Sequence, residues 1–353
     1  MPGHRRGLNA VRTHLRTILI RLAVFGIVTL VLQACSIKRM AINSMADSMA
    51  ASGDVFASDD DPELIRDAVP FSLKTIESLL VSVPDHPGLL LSACSGFTQY
   101  AYAFIQLDAD MVELADYRAA ARGRDRAMKM YLRARDYCFR RLELTHRGIR
   151  KGLAAADPMP ALAAVKASEI PVLYWTAASW GSAVSLGLDR PELVGDFAAV
   201  RALADRALAL DEEWSNGALH ELGIILDSVP EAMRGSPDRA RKHFARAVEL
   251  QHGASAGPYV SLAANVSLSA QDRAEFRTLL ETALAIDPDK EKPLRLANLL
   301  AQRKARYLLD HIDDLFGPEH NDDRWCQRQA GWLIFSILQE SPSHETLSRI
   351  PAE

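Results

Sequence analysis

From residue 62 to about residue 316 the apolar positions recur at spacings of three and four, as in Ile76, Leu79, Leu80 and Val83. That spacing lines one side of an α-helix. There is no stretch of strict apolar-polar alternation, and β-branched runs are few. Gly and Pro interrupt the pattern at short intervals, at Pro84-Asp85-His86-Pro87-Gly88, Asp157-Pro158, Asp189-Arg190-Pro191, Gly235-Ser236-Pro237, Gly257-Pro258 and Asp287-Pro288. Helices of ordinary length joined by short turns predict antiparallel neighbours and an all-α fold. The first helix is predicted to start at Ser58-Asp59-Asp60-Asp61-Pro62. Acids there offset the helix dipole, and proline suits the first turn. Ahead of it, residues 35–61 are small and polar and read as a tether.

One phrase recurs at helix ends: Ala207-Leu208-Ala209-Leu210-Asp211, Ala247-Val248-Glu249-Leu250-Gln251 and Ala283-Leu284-Ala285-Ile286-Asp287-Pro288. The copies are 40 and 36 residues apart. In the second, Ala240, Phe244 and Ala247 occupy the alanine, aromatic and alanine positions of the second helix of a tetratricopeptide pair. Leu219, Leu222 and Gly223 match the Leu-Gly part of a first helix. The usual period is about 34 residues, so these are degenerate repeats with longer turns. Ile76, Leu79 and Pro84 fit the second-helix frame upstream, as do Ala134 and Cys138. The fold class read from this is an α-solenoid of four to five degenerate tetratricopeptide-like helix pairs over residues 62–316, in which stacked pairs share a core that one pair could not bury alone. A closed all-α bundle is the rival.

The N-terminus carries a different signal. Residues 1–21 hold five arginines and no acid; residues 22–32 are uncharged and largely apolar; Leu32-Gln33-Ala34-Cys35-Ser36 follows. A basic start, a short apolar run and a small residue at a cleavage point make a secretory signal peptide over residues 1–34. The 11 uncharged residues fall short of the roughly 20 needed to span a bilayer. Cysteine directly after Ala34 gives the segment the look of a lipobox, with Cys35 the lipidated (palmitate-bearing) residue. Ser36 is not the aspartate associated with inner-membrane retention in such lipoproteins, so the periplasmic face of the outer membrane is the expected location.

Cleavage changes the charge. It removes five of 41 basic residues and none of the 45 acids, leaving 36 against 45 and a net charge of −9 with His neutral. Nucleic acid is then an unsuitable partner. Attachment to a membrane should come through the lipid anchor. Cys94, Cys138 and Cys326 remain, far apart and outside any CxxC or Cys/His ligand spacing, so no metal is indicated. Cys94 and Cys138 lie in apolar and aromatic surroundings and read as small core residues.

No G-x-S-x-G, H-E-x-x-H or phosphate loop is present, and no catalytic residue or cofactor is assigned. His220 and Glu221 are adjacent and so point to different helix faces. Two aromatic sets stand out. Phe97, Tyr100 and Phe104 sit at i, i+3 and i+7. In residues 174–181, Tyr174, Ala178, Gly181 and Ser185 continue into one stripe; Trp175, Ser179 and Ser182 form the next, with Trp180 nearby. No residue from 174 to 188 is charged. First helices of such pairs line a concave surface, where Phe97, Tyr100, Phe104, Tyr174, Trp175 and Trp180 would contact a guest. The same aromatics serve equally as core packing, and the pattern does not separate the two.

Several segments together resemble the T component (TatT) of tripartite ATP-independent periplasmic (TRAP) transporter systems, a family of lipoproteins built from tetratricopeptide-like repeats. They are Asp61-Pro62-Glu63-Leu64, Pro70-Phe71-Ser72-Leu73-Lys74, Ser95-Gly96-Phe97-Thr98-Gln99-Tyr100-Ala101, Tyr131-Leu132-Arg133-Ala134-Arg135-Asp136-Tyr137, residues 174–181, Gly217-Ala218-Leu219-His220-Glu221 and residues 306–316. The likeness spans about residues 35–316. It implies a periplasmic accessory protein that binds the solute-receptor protein of the transporter and passes a small apolar ligand to it; self-association is left open. The alternatives from other classes are a tetratricopeptide scaffold lipoprotein for cell-envelope assembly, which would need an open peptide groove, and an unrecognised hydrolase. Residues 317–353, with Trp325, Cys326 and Trp332-Leu333-Ile334-Phe335, depart from the pattern and form a C-terminal extension of undecided role.

Overall fold

The computed structural model describes residues 53–316 continuously, together with Arg21 and Ser44. Apart from those two residues, the predicted signal peptide 1–34, Cys35 with most of the predicted tether, and residues 317–353 lie outside the described residues. Every element among the described residues is helical. None of these helices is long and apolar enough to cross a membrane.

Helix α1 is short, Gly53–Ala57, and α2 runs Pro62–Ser82. The predicted start of α2 is met in detail: the Asp61 carboxylate accepts from the backbone N–H of Glu63 and Leu64, and Pro62 opens the first turn. A side-chain oxygen in that position satisfies N–H groups that have no partner inside the helix. Helix α3, Pro87–Tyr100, is capped by the His86 ring and passes without a break through a π-helical turn, Ala101–Gln106, into α4, Leu107–Val112. The long α5, Tyr117–Glu143, is capped by Asp116. Short helices α6 (Ile149–Leu153) and α7 (Met159–Leu162) lead to α8, Ile170–Leu186. Then come α9 (Pro191–Gly195), α10 (Phe197–Leu210), α11 (Trp214–Asp227) and α12 (Pro237–Leu250). Last are α13 (Gly257–Leu262), which continues as a second π-helical turn (Ala263–Ser267), α14 (Arg273–Ala285), α15 (Arg295–Asp310) and α16 (Ile312–Phe316).

Neighbours pack in sequence: α2 on α3, α3 on α5, α5 on α8, α8 on α10, α11 on α12, α13 on α14 and α14 on α15. The recurrent alanines Ala207, Ala247 and Ala283 are all fully buried. A Cβ placed on Gly217 would lie 3.5 Å from the Ala247 Cα, so α11 and α12 cross closely there.

The chain also returns on itself. Helix α15 packs against α1, α2 and α4. Leu300 joins Ile65, Ala103, Phe104 and Leu107 in one apolar cluster. Arg303 reaches Asp108 at 3.1 Å, the same carboxylate that Arg66 grips with both terminal nitrogens, and Arg295 reaches the Ser58 carbonyl at 3.3 Å. Nothing in the repeat pattern predicts this closure, because it depends on curvature accumulated over many helices.

One expectation is corrected. Cys94 and Cys138 are both fully buried, but they form a disulfide, with their Cα atoms 5.2 Å apart. The packing of α3 on α5 brings together faces 44 residues distant in sequence. No spacing rule reports such a pairing.

Candidate ligand-binding site

Helix α8 is the scaffold. It buries Thr176 and Ser179 completely by turning their hydroxyls onto its own backbone, at the Val172 carbonyl (2.5 Å) and the Thr176 carbonyl (3.2 Å). Its buried side, with Ala177, Trp180, Ala183 and Val184, joins the main core. The other side, with Tyr174, Trp175, Ala178, Gly181 and Ser182, is half-buried. The Tyr174–Ala178–Gly181 stripe therefore faces one way as expected, whereas Ser179 turns inward and leaves the Trp175 stripe.

The six aromatics fall into three places. Phe97 is 3% exposed, stacked on Tyr137 with ring centroids 6.0 Å apart and covered by the Arg133 guanidinium. Trp180 is 5% exposed, meets Phe139 edge-on at 5.2 Å and donates its indole N–H to Asp196 at 2.9 Å. Phe104 lies in the closure seam under Arg66, and half-buried Tyr100 stands 5.7 Å from it. Tyr174 and Trp175 meet edge-on at 4.8 Å, and Tyr174 has a second partner, Trp214, at 5.1 Å. No ring pair among the described residues links Phe97, Tyr100 or Phe104 to Tyr174 or Trp175.

Trp214 is the residue that the sequence pattern does not reach. It opens α11, and the next three residues, Ser215, Asn216 and Gly217, have φ of 52°, 53° and 84°. Left-handed backbone costs about 1–2 kcal/mol per non-glycine residue, and such strain persists only where the surroundings enforce it. The turn sets Trp214 against Tyr174, a pairing across 40 residues with no periodicity to announce it.

Two turns further along α11, His220 and Glu221 diverge. The His220 Nδ1 lies 2.9 Å from the Nδ1 of His243, and the His243 Nε2 lies 3.5 Å from Asp227. Asp227 is 1% exposed and paired with Arg201 and Arg239, each at 2.9 Å. Burial lowers both imidazoles below their ordinary range, and each is lowered further by positive neighbours, His243 in the case of His220 and Arg201 in the case of His243. Glu221 points elsewhere. Burial raises its carboxyl above the usual range, and a hydrogen bond from Gln251 offsets this only in part. Burial likewise pushes the Tyr174 phenol well up, helped by the negative charge of Glu221. A Cβ on Gly257 would fall 2.2 Å from a Glu221 carboxylate oxygen, so the carboxylate lies close against the start of α13. Among the described residues no cluster of three or more His, Cys, Asp or Glu is placed to hold a metal ion.

Comparison with known proteins places the chain. Residues 58–316 match the sequence model of a family described as "TRAP transporter T-component". An uncharacterised protein of Treponema pallidum (strain Nichols) is 28% identical over 319 residues, covering 84% of this chain and 98% of that protein.

Proposed function

Since this chain belongs to the TRAP transporter T-component family, we propose that it serves a transport system of that type as a lipid-anchored periplasmic accessory protein, binding the solute-receptor protein and holding a small apolar ligand. The observation that carries the ligand part is the half-buried cluster of Tyr174, Trp175 and Trp214. Large rings left partly open, on a helix side free of charge and rich in small residues, are what an apolar guest requires. The α11–α12 pair supports a tetratricopeptide-like reading of the scaffold: Leu219, Ala240 and Ala247 are fully buried, and Gly223 leaves room for the His243 ring. The Cys94–Cys138 disulfide suits an oxidising compartment.

Substitution separates guest contact from core packing. Truncating a core aromatic typically costs about 3–5 kcal/mol of stability. Trp175→Ala should retain most of the fold and lose ligand binding, measured by thermal melting and by native mass spectrometry of co-purified ligand. Global unfolding of Trp175→Ala would return the cluster to the core, and unchanged ligand binding in a folded Trp175→Ala would remove the guest contact.

A further inference from the structure

We propose that the exposed side of α5 is the face that docks the receptor protein, and that it takes an acidic, carboxylate-rich face of that partner. The inference rests on the proposed binding of the receptor and adds the surface and its chemistry.

Four observations converge. First, positive charge is concentrated. Residues 117–151 hold 12 basic residues and 3 acids, whereas the rest of residues 35–353 holds 24 basic residues and 42 acids. Second, the charge is aligned. Arg118, Arg122, Arg126, Lys129, Arg133 and Arg140 are all exposed and follow one another at helical spacing along one side of α5. At a rise of 1.5 Å per residue this stripe is about 33 Å long. Third, its first half is free. Lys129 pairs with Asp125 at 2.6 Å, Arg133 pairs with Glu77, and Arg140 donates to the Pro84 carbonyl at 2.7 Å. Arg118, Arg122 and Arg126 have no ion pair with any described residue. Asp125, on the same helix, is already held by Lys129 and Arg190. Like charges four residues apart destabilise a helix, and carboxylates laid along the stripe relieve that repulsion. Fourth, the stripe has the composition of a protein interface. Leu114 and Tyr117, at its start, are 52% and 70% exposed. Eight of the nine basic residues of α5 are arginine. Tyrosine and arginine are enriched where proteins meet, and lysine is depleted. A guanidinium also grips a carboxylate with two parallel N–H bonds. The acidic excess over the rest of the chain opposes a broad anionic plane such as a lipid headgroup layer. A protein of limited footprint meets the stripe alone.

The test titrates the receptor into the full chain in detergent, by calorimetry, at low and high salt. Native affinity should fall as salt rises, because the contacts are charged and exposed. Arg118→Glu with Arg122→Glu should weaken binding about tenfold or more, and Arg118→Gln with Arg122→Gln should weaken it less, since reversal adds repulsion to a lost attraction. Lys290→Glu with Lys292→Glu makes the same change in net charge at exposed positions far along the chain and should leave the affinity unchanged. Circular dichroism and melting midpoints establish that each variant folds. Native affinity in the Arg118/Arg122 variants overturns the stripe and leaves receptor binding standing. An equal loss in the Lys290/Lys292 variant reduces the effect to net charge and overturns it as well. A second arm mixes the unacylated Cys35→Ala chain with phosphatidylglycerol vesicles. Vesicle binding that the arginine reversals abolish, with receptor affinity unchanged, assigns the stripe to lipid headgroups instead. Failure of the native chain to bind the receptor removes the receptor reading and the docking face with it.

Discussion

At the scale of single residues, the two histidines between α11 and α12 tie stability to pH. The Nδ1 atoms of His220 and His243 face each other at 2.9 Å, and burial holds both imidazoles below the ordinary value of about 6.5. A group with a depressed pKa in the folded state binds fewer protons there than in the unfolded chain. Its contribution is thus present above the unfolded value and lost as pH falls through the folded one. Thermal midpoints should therefore drop as the pH is lowered from about 7 towards 5. His243→Gln should flatten that dependence. Asp205 acts in the opposite sense, because burial raises its carboxyl. A midpoint that is level from neutral to mildly acid pH in the native chain would contradict the assignment. The contrast between His220 and Glu221 was legible in the sequence, since adjacent helical residues must diverge. Their partners were not, because His243, Asp227 and Gln251 come from other helices or other turns.

At the scale of elements, sequence pattern and structure agree where the cause is local. The Asp61 cap, the Pro62 start and the charge-free α8 follow from residues within one or two turns of each other. The recurrent alanines were readable because close helix crossings demand small side chains. Trp214 was not, since its position depends on a strained turn whose cost is met by distant packing. The Cys94–Cys138 bridge was not either, since it records how α3 lies on α5. Its effect is measurable. Closing a loop of 44 residues removes about 4 kcal/mol of unfolded-state entropy in the chain-entropy account. Cys94→Ser with Cys138→Ser should thus lower stability by about 2–5 kcal/mol in denaturant melts and leave the helix content intact. Equal stability of the oxidised native chain and the double variant would show that the bridge adds nothing in solution.

At the scale of the whole molecule, α15 closes the helical array against α1, α2 and α4, so the start and end of the described chain form one seam. Phe104 belongs to that seam, Phe97 and Trp180 to packed interior, and Tyr174 with Trp175 to the half-open side of α8. The six aromatics chosen by pattern thus divide by tertiary position, which spacing along one helix does not encode. The proposed anchor, Cys35, lies ahead of this seam and outside the described residues. Cys35→Ala should abolish acylation and release the protein from the membrane fraction while its helical domain stays folded, as read by lipid labelling and fractionation. Retention of lipid-labelled Cys35→Ala protein in membranes would contradict the anchor. The central claim, however, is partnership with a transporter's receptor. The direct measurement is calorimetric titration of the full chain in detergent with the solute-receptor protein of a TRAP system from the same cell. The account predicts saturable binding with a defined stoichiometry. Absence of binding at the highest soluble concentrations, with both proteins folded by circular dichroism, would contradict it.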